Sequence, residues 1–173
     1  MNGTCSVCGQ RLVQDVGKPD APILLVSEFP GVEEIKQGVA FCGKAGKVLV
    51  SETTVAHIPL HKCLITNLWL HYPPDLVTSK AGMRRLCYAP MLAELVRKMV
   101  GRRAILLMGS ELSREFLGSS IMQYAGLKVT STFLPKDILV MCAPNPASVF
   151  KGTIGELRLS LAKFGKELER MGV

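Results

Sequence analysis

Hydrophobic residues gather in four short continuous runs rather than alternating with polar ones: Ile23 to Val26, Cys63 to Thr66, Ala104 to Met108 and Ile138 to Met141. Runs of this length predict strands buried on both faces, as in a parallel sheet covered by helices. Each gives way to turn-forming or small polar residues, at Phe29-Pro30-Gly31, Asn67, Gly109-Ser110 and Pro144. Between the runs the period changes to that of amphipathic helices. The helical stretches are Ala45 to Ala56, Met91 to Val100 (with Leu92, Leu95, Val96 and Met99 on one stripe) and Glu111 to Leu117. A charged helix carrying Ile154, Leu157, Leu159, Leu161 and Phe164 closes the chain, and Ser119 to Pro135 resists assignment.

Alternation of strand and helix predicts a three-layer α/β/α fold, with a central, mainly parallel, four-stranded sheet and right-handed crossovers. Ligands of such folds bind beyond the carboxyl ends of the strands. The segments to watch are therefore Ser27 to Gly31, Asn67 to Pro74, Gly109-Ser110 and Pro144 to Phe150. Residues 1–173 are long enough to bury one core and read as a single domain. Its first part, 1–20, contains Cys5-x-x-Cys8 among small, polar and turn-forming residues and reads as a metal-binding knuckle.

Charge narrows the choice of partner. The net charge of +7 favours a polyanion, because lysines and arginines that neutralise phosphates release condensed counterions. The N-terminus lacks a basic region followed by an apolar one, and no apolar run is long enough to span a bilayer. An intracellular protein, cytoplasmic or nucleoid-associated, with no membrane partner is expected, and its six cysteines are then thiols or metal ligands. A nucleotide-binding α/β protein is disfavoured, since no glycine-rich loop with a lysine follows the first strand.

Three segments carry a more specific signal. Ile23 to Glu34, continued by Gly38-Val39-Ala40-Phe41-Cys42-Gly43-Lys44-Ala45-Gly46, resembles the first motif of the uracil-DNA glycosylase superfamily, closest to its family-four iron-sulfur branch. Leu64-Ile65-Thr66-Asn67 followed by Pro73-Pro74 resembles the second conserved segment of that branch, and Ala143 to Ser148 falls where the later one lies. The resemblance implies hydrolysis of the N-glycosidic bond of uracil flipped out of DNA, as in base excision repair. It gives Phe41 the role of stacking on the flipped base, and Asn67 that of reading its polar edge. Read from the residues alone, Phe41 fits a core phenylalanine and Asn67 a turn or helix-capping asparagine. Glu28 matches the carboxylate that positions or activates water. Glu33 and Glu34 match a downstream acidic pair that a solvated turn or a first helical turn explains equally well.

Several positions depart from the family pattern. Ser27 replaces a glycine, Phe29 stands in the substrate pocket where the family has a small residue, and Asn145 replaces a histidine in the second catalytic position. These departures define the alternative: a catalytically inactive module of the same fold that binds DNA or a replication or repair partner.

The same resemblance implies a four-iron four-sulfur cluster held by a Cys-x-x-Cys pair and two later cysteines. Cys5, Cys8 and Cys87 match three ligands, and His71 occupies the remaining position. A three-cysteine, one-histidine set suits structural zinc as well, so both metals stay open. Cys63 is a substitute ligand, while Cys42 and Cys142 sit in apolar settings expected of buried, inert thiols. The segment Ser148 to Lys151 matches the family's minor-groove loop, making Val149 or Phe150 a candidate wedge into the base stack. Arg84, Arg85, Arg102, Arg103 and Lys151 are candidate phosphate contacts on single- or double-stranded DNA, or simply solvated surface.

Overall fold

The computed structural model describes residues 3–72, 81–119, 125–129 and 138–173, excepting the side chains of 81–84. Pro73, Pro74 and the side chain of Arg84 lie outside the described residues. The strands are β1 (Val16–Gly17), β2 (Ile23–Ser27), β3 (Cys63–Asn67), β4 (Ala104–Met108), β5 (Lys128–Val129) and β6 (Leu139–Ala143). They form one sheet in the order β1-β3-β2-β4-β6-β5. The sheet thus has six strands rather than the expected four. The four apolar runs pair in parallel, while the added pairs, β1 on β3 and β5 on β6, are antiparallel. Each added strand has two residues, too short to show a hydrophobic period of its own.

Every residue of β2, β3, β4 and β6 is buried, because side chains alternate into two separate cores. Leu24, Val26, Leu64, Ile105, Leu107 and Val140 point to one face, where they meet Met91 and Leu95 of α3 (Ala81–Met99) and Leu112 and Phe116 of α4 (Ser110–Leu117). Ile23, Leu25, Ile65, Leu106, Met108 and Met141 point to the other. There Leu49 of α2 (Lys44–Val55) and Leu157, Leu161, Phe164 and Leu168 of α5 (Ile154–Arg170) cover them. A short helix, α1 (Val32–Gln37), follows the turn after β2.

Burial on both faces is what a continuous apolar run demands, and it fixes the α/β/α layering. Chain connections from β2 run to β3 on one side of it, and β4 lies on the other. The carboxyl end of β2 is therefore the place where an α/β sheet opens a crevice for ligands.

Candidate functional site

The carboxyl ends of β2, β3 and β6 bound a cavity of about 350 Å³ whose lining includes Ser27, Phe29, Phe41, Asn67, Tyr72 and Asn145. Four of the five residues assigned to base and catalysis from sequence thus meet in one place, and Glu28 is not among those that line it. Parallel pairing of Ser27 with Asn67 ends the ladder, and two further bonds, from Leu68 N–H to the Ser27 carbonyl and from Trp69 N–H to the Glu28 carbonyl, extend it to the cavity wall.

Asn67 is only 4% exposed, and among the described residues its amide has no hydrogen-bond partner. Buried polar groups are nearly always paired, and one left unsatisfied costs about 1–3 kcal/mol. An amide in a cavity wall offers one donor and one acceptor to a ligand with the complementary pair. The helix-capping asparagine is instead Asn145, whose Oδ1 accepts from Ala147 N–H at 2.9 Å to start a 3-10 helix, Pro146–Lys151.

Phe41 sits in the left-handed region at φ 57°, one of two described residues other than glycine with positive φ. Strain of about 1–3 kcal/mol at a pocket residue persists only where its surroundings fix it. Two neighbours do so. Gly46, in the first turn of α2, packs so closely that a Cβ there would stand 1.7 Å from the Phe41 carbonyl oxygen. Glu34, buried on α1, accepts from Gly43 N–H at 2.8 Å across the loop that carries Phe41. Glu34 is therefore a buried clamp, whereas Glu33 is exposed and pairs with Lys36. The sequence held no signal separating the two glutamates, because the partner of Glu34 is a backbone group nine residues away.

Glu28 leans toward β4 over Gly109, the one place in that turn without a Cβ to block it. Its Oε1 accepts from Glu111 N–H at 2.6 Å in the first turn of α4, and its Oε2 accepts from Asn145 Nδ2 at 3.2 Å. A carboxylate at a helix N-terminus is stabilised by the unpaired N–H groups there. Asn145 Nδ2 also donates to Ser27 Oγ at 3.1 Å. The departures at Ser27 and Asn145 are thus partners of each other, and both contact the strand end that carries Glu28. At the cavity's edge Phe29, exposed, meets Tyr72 edge-on with ring centroids 5.8 Å apart.

The candidate ligands also converge. Cys5 and Cys8 come from the N-terminal turn, His71 from the segment after β3 and Cys87 from α3, and their ligand atoms all lie within 4.8 Å of one another. The turn is closed by Gly9 N–H donating to the Cys5 carbonyl at 2.8 Å. Burial, with the Cys8 and Cys5 sulfurs alongside, pushes the Cys87 thiol up to about 12. Three thiols and an imidazole whose ligand atoms lie this close together are a donor set that fits a metal. Trp69, fully buried, packs against the His71 and Tyr88 rings. Cys63 is in the opposite core, its thiol pushed up to about 12 by burial, and Cys142 is pushed up to about 11 by the same cause. Cys42 is half-buried rather than buried.

The basic candidates divide. Arg85 and Lys151 are exposed. Arg102 is buried and donates to the carbonyls of Lys98 and Pro19, so it braces the chain before β2. Arg103 donates to the Met171 carbonyl. In the loop after β6, Phe150 is 63% exposed while Val149 packs on the core. A larger groove, about 910 Å³, lies along Asp15, Glu94, Arg97, Lys98 and Arg102. Among the described residues Lys98 pairs there with Asp15 and Arg97 with Glu94, each at 2.7 Å. No helix among the described residues is long and apolar enough to cross a membrane.

A family model for the uracil DNA glycosylase superfamily matches residues 14–168, a span that holds the whole cavity lining together with His71 and Cys87 and leaves only Cys5 and Cys8 of the ligand set before it. That match covers most of the chain, and the protein belongs to the uracil DNA glycosylase superfamily.

Proposed function

We propose that the protein flips uracil out of DNA into the cavity under Phe41 and hydrolyses its N-glycosidic bond, acting as one unit and inside the cell, with family-four enzymes as its nearest branch. The amide of Asn67, buried at the cavity and without a protein partner among the described residues, carries this reading. Uracil presents carbonyl acceptors beside an N–H donor, and one amide answers both. In the reaction the bond between the sugar C1′ and base N1 breaks and its electron pair leaves with the base. Water oxygen bonds to C1′ and its proton ends on the departing uracil, with Glu28, outside the lining and hydrogen-bonded to the cavity residue Asn145, as the carboxylate that helps position or activate that water. Asn145 turns its amide from Glu28 toward the base oxygen that gains charge, a donor worth about 10²–10³ in rate at such sites.

A second reading, a module that holds DNA without cutting it, is favoured by two observations. Asn145 already spends its donors on Ser27 and Glu28, and the Phe29 and Tyr72 rings pair edge-on in the cavity lining. Single-turnover assays with anaerobically prepared protein in excess over uracil-containing and undamaged oligonucleotides separate the two. Abasic sites confined to the uracil strand establish the enzyme; bound DNA without them establishes the module. Phe29→Ala is expected to raise excision at least about tenfold, the equivalent of roughly 1.4 kcal/mol of barrier. An unchanged rate rejects occlusion by Phe29.

The exposure of Phe150 supports it, rather than Val149, as the wedge. Unstacking a base step costs a few kcal/mol, which a wedge offsets only in duplex DNA. Phe150→Ala is therefore expected to weaken action on duplex uracil about tenfold relative to single-stranded uracil. Val149→Ala should instead lower stability. Equal losses on both substrates would remove the wedge role.

A further inference from the structure

We propose that Cys5, Cys8, His71 and Cys87 hold a single tetrahedral zinc ion in place of the four-iron four-sulfur cluster that the family resemblance implies. The argument is one of size. With zinc–sulfur bonds of about 2.3 Å and zinc–nitrogen bonds of about 2.0–2.1 Å, tetrahedral geometry sets two sulfurs about 3.8 Å apart and a sulfur and nitrogen about 3.6 Å apart. The Cys5 and Cys87 sulfurs stand 3.8 Å apart, and the Cys8 sulfur stands 3.6 Å from His71 Nε2. No pair in the set exceeds 4.8 Å. In a cubane each protein ligand binds a different iron, and the ligand atoms spread to on the order of 6 Å. The space between these four side chains suits one ion.

Two further features agree. His71 Nδ1 lies 2.8 Å from the Tyr72 carbonyl oxygen, and when it donates there the Nε2 lone pair is directed at Cys8. Metal-bound histidines are held in this way by their second nitrogen. The Cys5-x-x-Cys8 turn has Gly9 in the left-handed conformation at φ 73°, with its N–H on the Cys5 carbonyl, so a tight knuckle presents both sulfurs to one point. The ion would tie that knuckle to α3 and to the segment that brings Tyr72 to the cavity's edge.

The test uses the full chain, expressed with iron and zinc both supplied and purified anaerobically, with metal and acid-labile sulfide measured on the folded protein. About one zinc per chain without sulfide is expected. Several irons with matching sulfide overturn the proposal, and so does a folded protein holding neither metal. Cobalt(II) exchanged into the site should give the intense visible bands of a tetrahedral thiolate complex; the weak bands of a six-coordinate ion would contradict it. His71→Cys should keep the metal and shift those bands, and an unshifted spectrum removes His71 from the ligand set. None of these readouts depends on uracil excision, so their failure leaves the reading of the cavity intact.

Discussion

Asn67→Ala is expected to cut uracil excision by about 10²–10³ while thermal unfolding stays where it is or moves upward. The two halves of this result come from one observation. Asn67 is buried with its amide unpaired among the described residues, so the folded protein carries the cost of that group and recovers it only when a ligand arrives. Alanine deletes both the cost and the recognition, and its missing atoms merely enlarge an existing cavity. Sites selected for function commonly hold such a trade. The check pairs single-turnover kinetics on uracil-containing DNA with calorimetry on the same preparations. Parallel losses of activity and stability would make Asn67 a structural residue whose partner is protein, and would withdraw it as the base-reading group.

Much of this site was legible in the chain because it lies where secondary structure changes. The apolar runs located the ends of β2, β3 and β6, and the residues at or just past them, Asn67, Phe29 and Asn145, do meet in one cavity. The four candidate cysteine and histidine ligands were legible because ligand chemistry restricts residue type, and they converge from three separate segments. What escaped was whatever depends on a backbone partner or on distance across the fold. Nothing about Glu34 in the sequence distinguishes a carboxylate on Gly43 N–H from one in water. The Glu28 contact with the first turn of α4 joins residues 83 positions apart, and no local pattern encodes it. Arg102 looked like its neighbour Arg103 and proved to be a buried brace. Strands β1 and β5 are two residues each, so pairing with β3 and β6 creates them rather than any preference of their own.

Gly46→Ala should differ from Asn67→Ala in its effect on stability, lowering stability and function together. A Cβ at Gly46 would stand 1.7 Å from the Phe41 carbonyl oxygen and 2.3 Å from its carbonyl carbon, inside any permissible contact, and the obstruction is backbone that no rotamer change can clear. Either α2 moves away from the loop or the Phe41 peptide gives up its φ of 57°. The second route is the softer one, since Phe41 gains conformational energy by leaving the left-handed region. That movement takes the ring off the cavity and strains the Glu34 bond to Gly43 N–H, which spans the same turn. Overpacking of this kind costs about 1–3 kcal/mol, and in a chain of this size each kcal/mol lowers the unfolding temperature by roughly 2–4 °C. Excision, or uracil-selective binding if catalysis is absent, should fall at least about a hundredfold, because a reacting group displaced by an ångström loses that much. Gly155→Ala is the control: it lies in the exposed first turn of α5 with nothing within 4 Å of the added Cβ, and it should be neutral or slightly stabilising. If Gly46→Ala matched that control in both stability and activity, the close packing that fixes Phe41 would have no part in shaping the cavity.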